Sequence, residues 1–130
     1  MYQQKLGLRA EYHNQEAKRV KASPCLADKF PTLKTLTVNI GFYNPKGVAQ
    51  NGPVKYSVNL KNAKSVFRFR CPNDECIHGD FDLTDELASA VAKKRAVVGG
   101  EISCQGWQSK TTVDTVRCHN VLRYELKLAY

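Results

Sequence analysis

The chain has 130 residues, a length that fits one domain, and its 42% hydrophobic and 25% charged residues are those of an ordinary globular protein. No apolar run approaches the ~20 residues of a bilayer-spanning helix, and the opening Met1-Tyr-Gln-Gln-Lys-Leu-Gly-Leu-Arg lacks the apolar stretch and small-residue cleavage site of a signal peptide, so a cytoplasmic location without membrane association is expected. The net charge of +8 points to an anionic partner (nucleic acid, ribosome, membrane surface or acidic protein), although a basic surface also serves solubility.

Residues 1–22 are polar and basic, with Lys5, Arg9, Lys18, Arg19 and Lys21, and their apolar periodicity is weak. They read as an N-terminal arm or a short element, and residues 23–130 as the domain proper. Ser23-Pro24 breaks the chain, and Leu26, Phe30 and Leu33 around Pro31 suggest a helical turn packed on the core.

Strand patterns then begin. Leu36, Val38, Ile40 and Phe42 alternate with Thr35, Thr37, Asn39 and Gly41, a half-buried strand of period two. Asn44-Pro-Lys-Gly and Asn51-Gly-Pro mark a loop before a second strand, Val54 to Leu60. A third alternation runs from Ser65 to Cys71. One main helix follows near residues 83–95. Its apolar stripe is Leu83, Leu87, Ala88, Val91 and Ala92, its caps are Asp82 or Thr84, and Lys93, Lys94 and Arg95 suit its last turn. A fourth strand is expected from Glu101 to Trp107 and a last one from Val116 to Tyr130, with its phase interrupted at Asn120. Strands without helical crossovers pair antiparallel, which predicts an α+β fold: one antiparallel sheet of about five strands packed on that helix.

The cysteines carry the chemistry. In a reducing compartment clustered thiols more often bind metal than form disulfides. Cys71-Pro-Asn-Asp-Glu-Cys76 brackets a turn, with four residues between its thiols. Cys104 and Cys118, 13 residues apart, can face each other across a hairpin centred near Thr111. Cys71, Cys104 and Cys118 share the apolar phases of their strands, as a site half sunk in the core would require. Four buried core thiols would share them too. Cys71, Cys76, Cys104 and Cys118 together predict one tetrahedral site, zinc first on frequency, with no open coordination position for catalysis. The set resembles a zinc ribbon in kind, though not in its spacing. His78 could replace Cys76 as ligand, whereas Cys25 reads as a small buried residue.

Arg68, Arg70, Arg117, Arg123 and Lys127 occupy the polar phases of the third and last strands and would make a basic, anion-binding strip if those strands were neighbours. The strand aromatics lie in the opposite phase, away from such a strip. Trp107 could cover the metal. The acidic residues from Asp74 to Glu86 suit caps and turns and lack EF-hand spacing. No P-loop, dinucleotide fingerprint, GxSxG or HExxH occurs. The expected function is therefore a zinc-stabilised binding module for nucleic acid or ribonucleoprotein, rather than an enzyme. The alternatives are a thiol-redox enzyme using Cys71 and Cys76, and a protein–protein adaptor.

Overall fold

A computed structural model describes residues 2–72, 76, 79–104, 106–109 and 115–130, with backbone alone for 2–9, 51, 107–109 and 115–117. Its elements in chain order are α1 (Tyr2–Ala22), α2 (Leu26–Lys29), β1 (Thr35–Tyr43), β2 (Ala49–Ser57), β3 (Arg68–Arg70), β4 (Asp80–Asp82), α3 (Thr84–Ala92), β5 (Val97–Ser103), β6 (Trp107–Ser109), β7 (Thr115–Arg117) and β8 (Val121–Ala129). The fold is α+β. The principal antiparallel sheet has the order β2-β1-β8-β5, and β3–β4 and β6–β7 form two short ribbons.

The sheet is built on the alternation of β1 and β8. Leu36 pairs with Leu128, Val38 with Leu126 and Phe42 with Leu122, so the apolar phases of both strands meet on one face. Leu36, Val38, Leu122 and Leu126 are at most 1% exposed. Each such side chain contributes about 1.5–3 kcal/mol through burial. The inner face of α3 supplies Leu87, Ala90 and Val91 to the same core, and Leu26 and Leu33 close it from the α2 side.

Several elements differ from the sequence-based expectation. Residues 2–22 form a helix of 21 residues, longer than α3. Its periodicity is faint because polar groups hold it down. Tyr12 donates to Asp80, and Arg19 pairs with Asp82 at 3.0 Å while Glu16 approaches Arg68. Burial first, and then the bond to Asp80, push the Tyr12 phenol above its ordinary range.

The loop expected over residues 44–53 is only a tight turn. The Asn44 side-chain carbonyl accepts the N–H groups of Lys46 and Val48, and β2 resumes at Ala49. Gly52 and Pro53 are tolerated inside β2 because it is an edge strand with an irregular register between Ile40 and Phe42.

Helix α3 stops at Ala92, short of the Lys93-Lys-Arg95 run. Lys94 adopts φ 50°, its N–H donates to Val91, and the Arg95 N–H donates to Ala90. This is a Schellman cap with lysine where glycine is usual. At the other end, an Asp82 carboxylate oxygen accepts both the N–H and the hydroxyl of Thr84. Burial disfavours that carboxylate, but the bonds from Thr84 and Arg19 outweigh it and hold Asp82 below the usual range. The acidic residues Asp80 and Asp82 thus serve the contacts with α1, Arg68 and Thr84.

Candidate metal centre

The site lies where three ladders end. The β3–β4 register extends one step beyond Arg70 and Asp80, where the Cys71 N–H donates to the Gly79 carbonyl at 3.1 Å. On the other side, β5 pairs with β8 up to Ser103 opposite Val121, and β6 pairs with β7 from Trp107 opposite Arg117. These two ladders share one register, which places Cys104 opposite Asn120 and Gly106 opposite Cys118. The expected last strand is therefore two strands, parted at residues 118–120, and the expected fourth strand is parted at 104–106.

The cysteines are diagonal neighbours and not opposed, two residues from the expected register. That shift sets Ile102 against Leu122; the expected pairing would have set it against Asn120.

At the break, the backbone serves sulfur. The Cys104 N–H donates to the Asn120 carbonyl at 2.8 Å, and the Cys118 N–H donates to the Gly106 carbonyl at 3.0 Å. The N–H groups that would complete these pairs turn to thiols instead. Gly106 N–H donates to Cys104 Sγ at 3.3 Å, and Asn120 N–H donates to Cys118 Sγ. Each cysteine thus receives the N–H two residues ahead, and the two halves repeat one local design. The Asn120 side chain adds a third contact, its amide 3.7 Å from Cys71 Sγ.

All four sulfurs lie within 4.8 Å of one another, with Cys71 Sγ 3.8 Å from Cys118 Sγ and Cys76 Sγ 3.5 Å from Cys104 Sγ. A tetrahedral tetrathiolate with bonds of about 2.3 Å has sulfur–sulfur edges of about 3.8 Å. The cluster is compatible with one metal ion. The four residues are at most 3% exposed and belong to the hydrophobic core, and all five cysteines of the chain are reduced.

The thiols hydrogen-bond to one another. Bonds from Cys104, Cys71 and Cys76 hold Cys118 below the ordinary thiol range. The bond to Cys104 foremost pushes Cys76 up, and the bond to Cys118 foremost pushes Cys104 up.

Cys76 itself is in the cluster, and His78 lies outside the described residues. Cys25 precedes α2 and bridges Lys64, apart from the four. The Trp107 side chain is likewise outside the described residues. Glycine at position 79 carries a requirement that spacing did not reveal: a Cβ there would come 2.2 Å from Cys76 Sγ.

The five basic positions are dispersed. Among the described residues β3 pairs with β4 and β8 with β1 and β5. Arg68 has a side chain 8% exposed and bonds Asp80 at 2.9 Å. Arg70 is exposed at the end of β3. Arg117 ends β7, and its side chain is not described. Arg123 and Lys127 alone share one face, the outer face of the principal sheet. There Arg123 stacks 4.4 Å over Tyr43 and pairs with Glu101, while Lys127 is 3.8 Å from Glu125.

Among the described residues no helix is long and apolar enough to cross a membrane. Comparison with known protein families, curated proteins and solved structures finds no match.

Proposed function

We propose that the chain is a binding module stapled by one structural zinc ion, held by Cys71, Cys76, Cys104 and Cys118, with an anionic macromolecule, nucleic acid or ribonucleoprotein first, as its partner. The convergence of four core-buried sulfurs supports the staple. Sulfurs within 4.8 Å leave room for one ion and favour it over a multi-iron cluster. Zinc is the preferred occupant because it takes four thiolates tetrahedrally without redox chemistry. It would supply cross-linking of the β3–β4 turn to the β5–β8 hairpin, and its binding free energy would add to folding.

Burial also weighs against the thiol-redox reading. A redox thiol must be an accessible thiolate, whereas Cys71 and Cys76 are 3% and 1% exposed and Cys76 is pushed toward its protonated form.

The anionic partner is supported by the charge of +8. Elemental analysis of the native protein tests the staple: one equivalent of zinc per chain is expected, and a folded, metal-free protein with titratable thiols overturns it. Binding of a labelled oligonucleotide at low ionic strength tests the partner, and absence of binding there removes nucleic acid.

A further inference from the structure

The net charge is confined to half of the chain. Residues 1–65 hold eleven Lys and Arg against three Asp and Glu, while residues 66–130 hold nine of each. All five residues of the expected basic strip fall in the neutral half. The excess lies in α1 and in the β1–β2 hairpin with its flanking turns, whereas Asp28 and Lys29 leave α2 neutral.

Within that half, β2 is the outer strand of the sheet, and its residues with described side chains are all exposed. Val54 and Tyr56 pair with Ile40 and Val38 and so stand on the inner, apolar phase. They are nevertheless 50% and 38% exposed on this edge strand. An aromatic side chain of the apolar phase is therefore open to solvent, which period-two patterning could not show. Lys55, between them in sequence, projects from the opposite face of this edge strand. Lys46 sits in the turn before β2, Lys61 in the turn after it, and the half-buried Lys64 at the bridge to Cys25. None of these four lysines makes an ion pair among the described residues.

We infer that the anionic partner lies along the β2 edge and is a single-stranded nucleic acid, its phosphates on Lys46, Lys55, Lys61 and Lys64 and a base against Tyr56 and Val54. This rests on the proposed function and locates it. Unpaired lysines flanking an exposed aromatic fit a chain that is both polyanionic and able to present unstacked rings. A duplex hides those rings in its stack, and an acidic peptide has no comparable use for Tyr56.

The test is fluorescence anisotropy of the whole protein with an oligouridylate of about 12 nucleotides, across a range of salt. Three or four phosphate contacts give a slope of about −2 to −3 in log affinity against log salt. Lys55→Glu with Lys61→Glu weakens binding at least tenfold and flattens that slope. Tyr56→Ala weakens it roughly tenfold with the slope unchanged, since stacking carries no counterions. Arg70→Glu with Lys127→Glu lowers affinity less than the Lys55/Lys61 pair.

If the wild type binds no oligonucleotide at low salt, both this inference and the nucleic-acid reading fall. If it binds and the Lys55/Lys61 reversal has no effect, this surface alone is wrong. Tighter binding of a duplex or of polyglutamate than of oligouridylate overturns the choice of partner.

Discussion

Gly79 and Cys76 are mutually exclusive in bulk: a methyl group on Gly79 would come within 2.2 Å of the Cys76 sulfur and 2.9 Å of the Cys71 Cβ. The backbone that returns from the thiol turn into β4 passes directly against the ligand side chains. The required absence of a side chain at 79 is a steric matter, because this glycine is not among those with a left-handed backbone.

Gly79→Ala is therefore expected to displace Cys76 from the cluster. Overpacking of this kind costs about 1–3 kcal/mol. Metal content per chain should fall well below that of the wild type, with a lower melting temperature by calorimetry. Wild-type stoichiometry and melting would show that the turn has slack.

Asn120 is 6% exposed, and its groups reach three of the cysteines: its side-chain amide meets Cys71, its backbone N–H meets Cys118, and its carbonyl takes the Cys104 N–H. Asn120→Ala keeps the backbone contacts and deletes the amide. Loss of such an outer contact typically lowers metal affinity about 10–100-fold. Competition with a chromophoric chelator measures it, and unchanged affinity would assign the amide to packing alone.

The pH dependence has a definite sign. Hydrogen bonding within the cluster raises Cys76 and Cys104 above the ordinary thiol range, so both hold protons at neutrality, while it lowers Cys118. Metal binding must expel the protons of Cys76 and Cys104, so apparent affinity falls as pH falls. Titration calorimetry in buffers of different ionisation enthalpy should show at least two protons released per ion near neutral pH. Release of none would mean that the cluster is already fully ionised.

Arg68 and Asp80 are 8% and 12% exposed in their side chains and bond at 2.9 Å, with Tyr12 donating to the same carboxylate. Removing one member of a buried pair strands the other, at about 3–5 kcal/mol. Asp80→Ala should therefore lower denaturant stability by about 3 kcal/mol, although Tyr12 and Glu16 remain nearby. A change within ±0.5 kcal/mol, the range of ordinary surface substitutions, would show that the pair is solvated.

Lys94 holds φ 50° at the C-terminal cap of α3. A left-handed conformation costs a side-chain-bearing residue about 1–2 kcal/mol, part of which glycine returns as chain entropy. Lys94→Gly should stabilise the protein by about 0.5–1 kcal/mol in urea unfolding. Destabilisation would mean that the lysine side chain contributes more than its conformation costs.

The contrast between what patterning revealed and what it did not has physical causes. β1 was legible because Leu36, Val38 and Ile40 alternate on a strand buried on one face. The thiol cluster was legible because Cys71, Cys104 and Cys118 keep the apolar phase of their strands. Helix α1 was not legible, since Tyr12, Glu16 and Arg19 dock through hydrogen bonds and ion pairs that leave no apolar stripe. β4 was hidden because Asp80-Phe-Asp82 carries two acids that resemble turn chemistry; they are partners for Arg68 and Arg19. The strand breaks at 104–106 and 118–120 leave only a phase interruption at Asn120, because the diverted N–H groups belong to the backbone and not to residue type.

The order of the sheet has a consequence for synthesis on the ribosome. β1 makes its inner pairing with β8, where Thr35 meets Ala129 and Tyr43 meets Val121. A nascent chain that has emerged as far as β5 holds both flanks of the sheet and lacks the strand that goes between them. Until β8 emerges, Leu36, Val38 and Ile40 have no strand partner on that side and the fourth sulfur is only just available. Closing so long a loop late makes for slow maturation and an extended period in which the apolar side of β1 invites holdase chaperones.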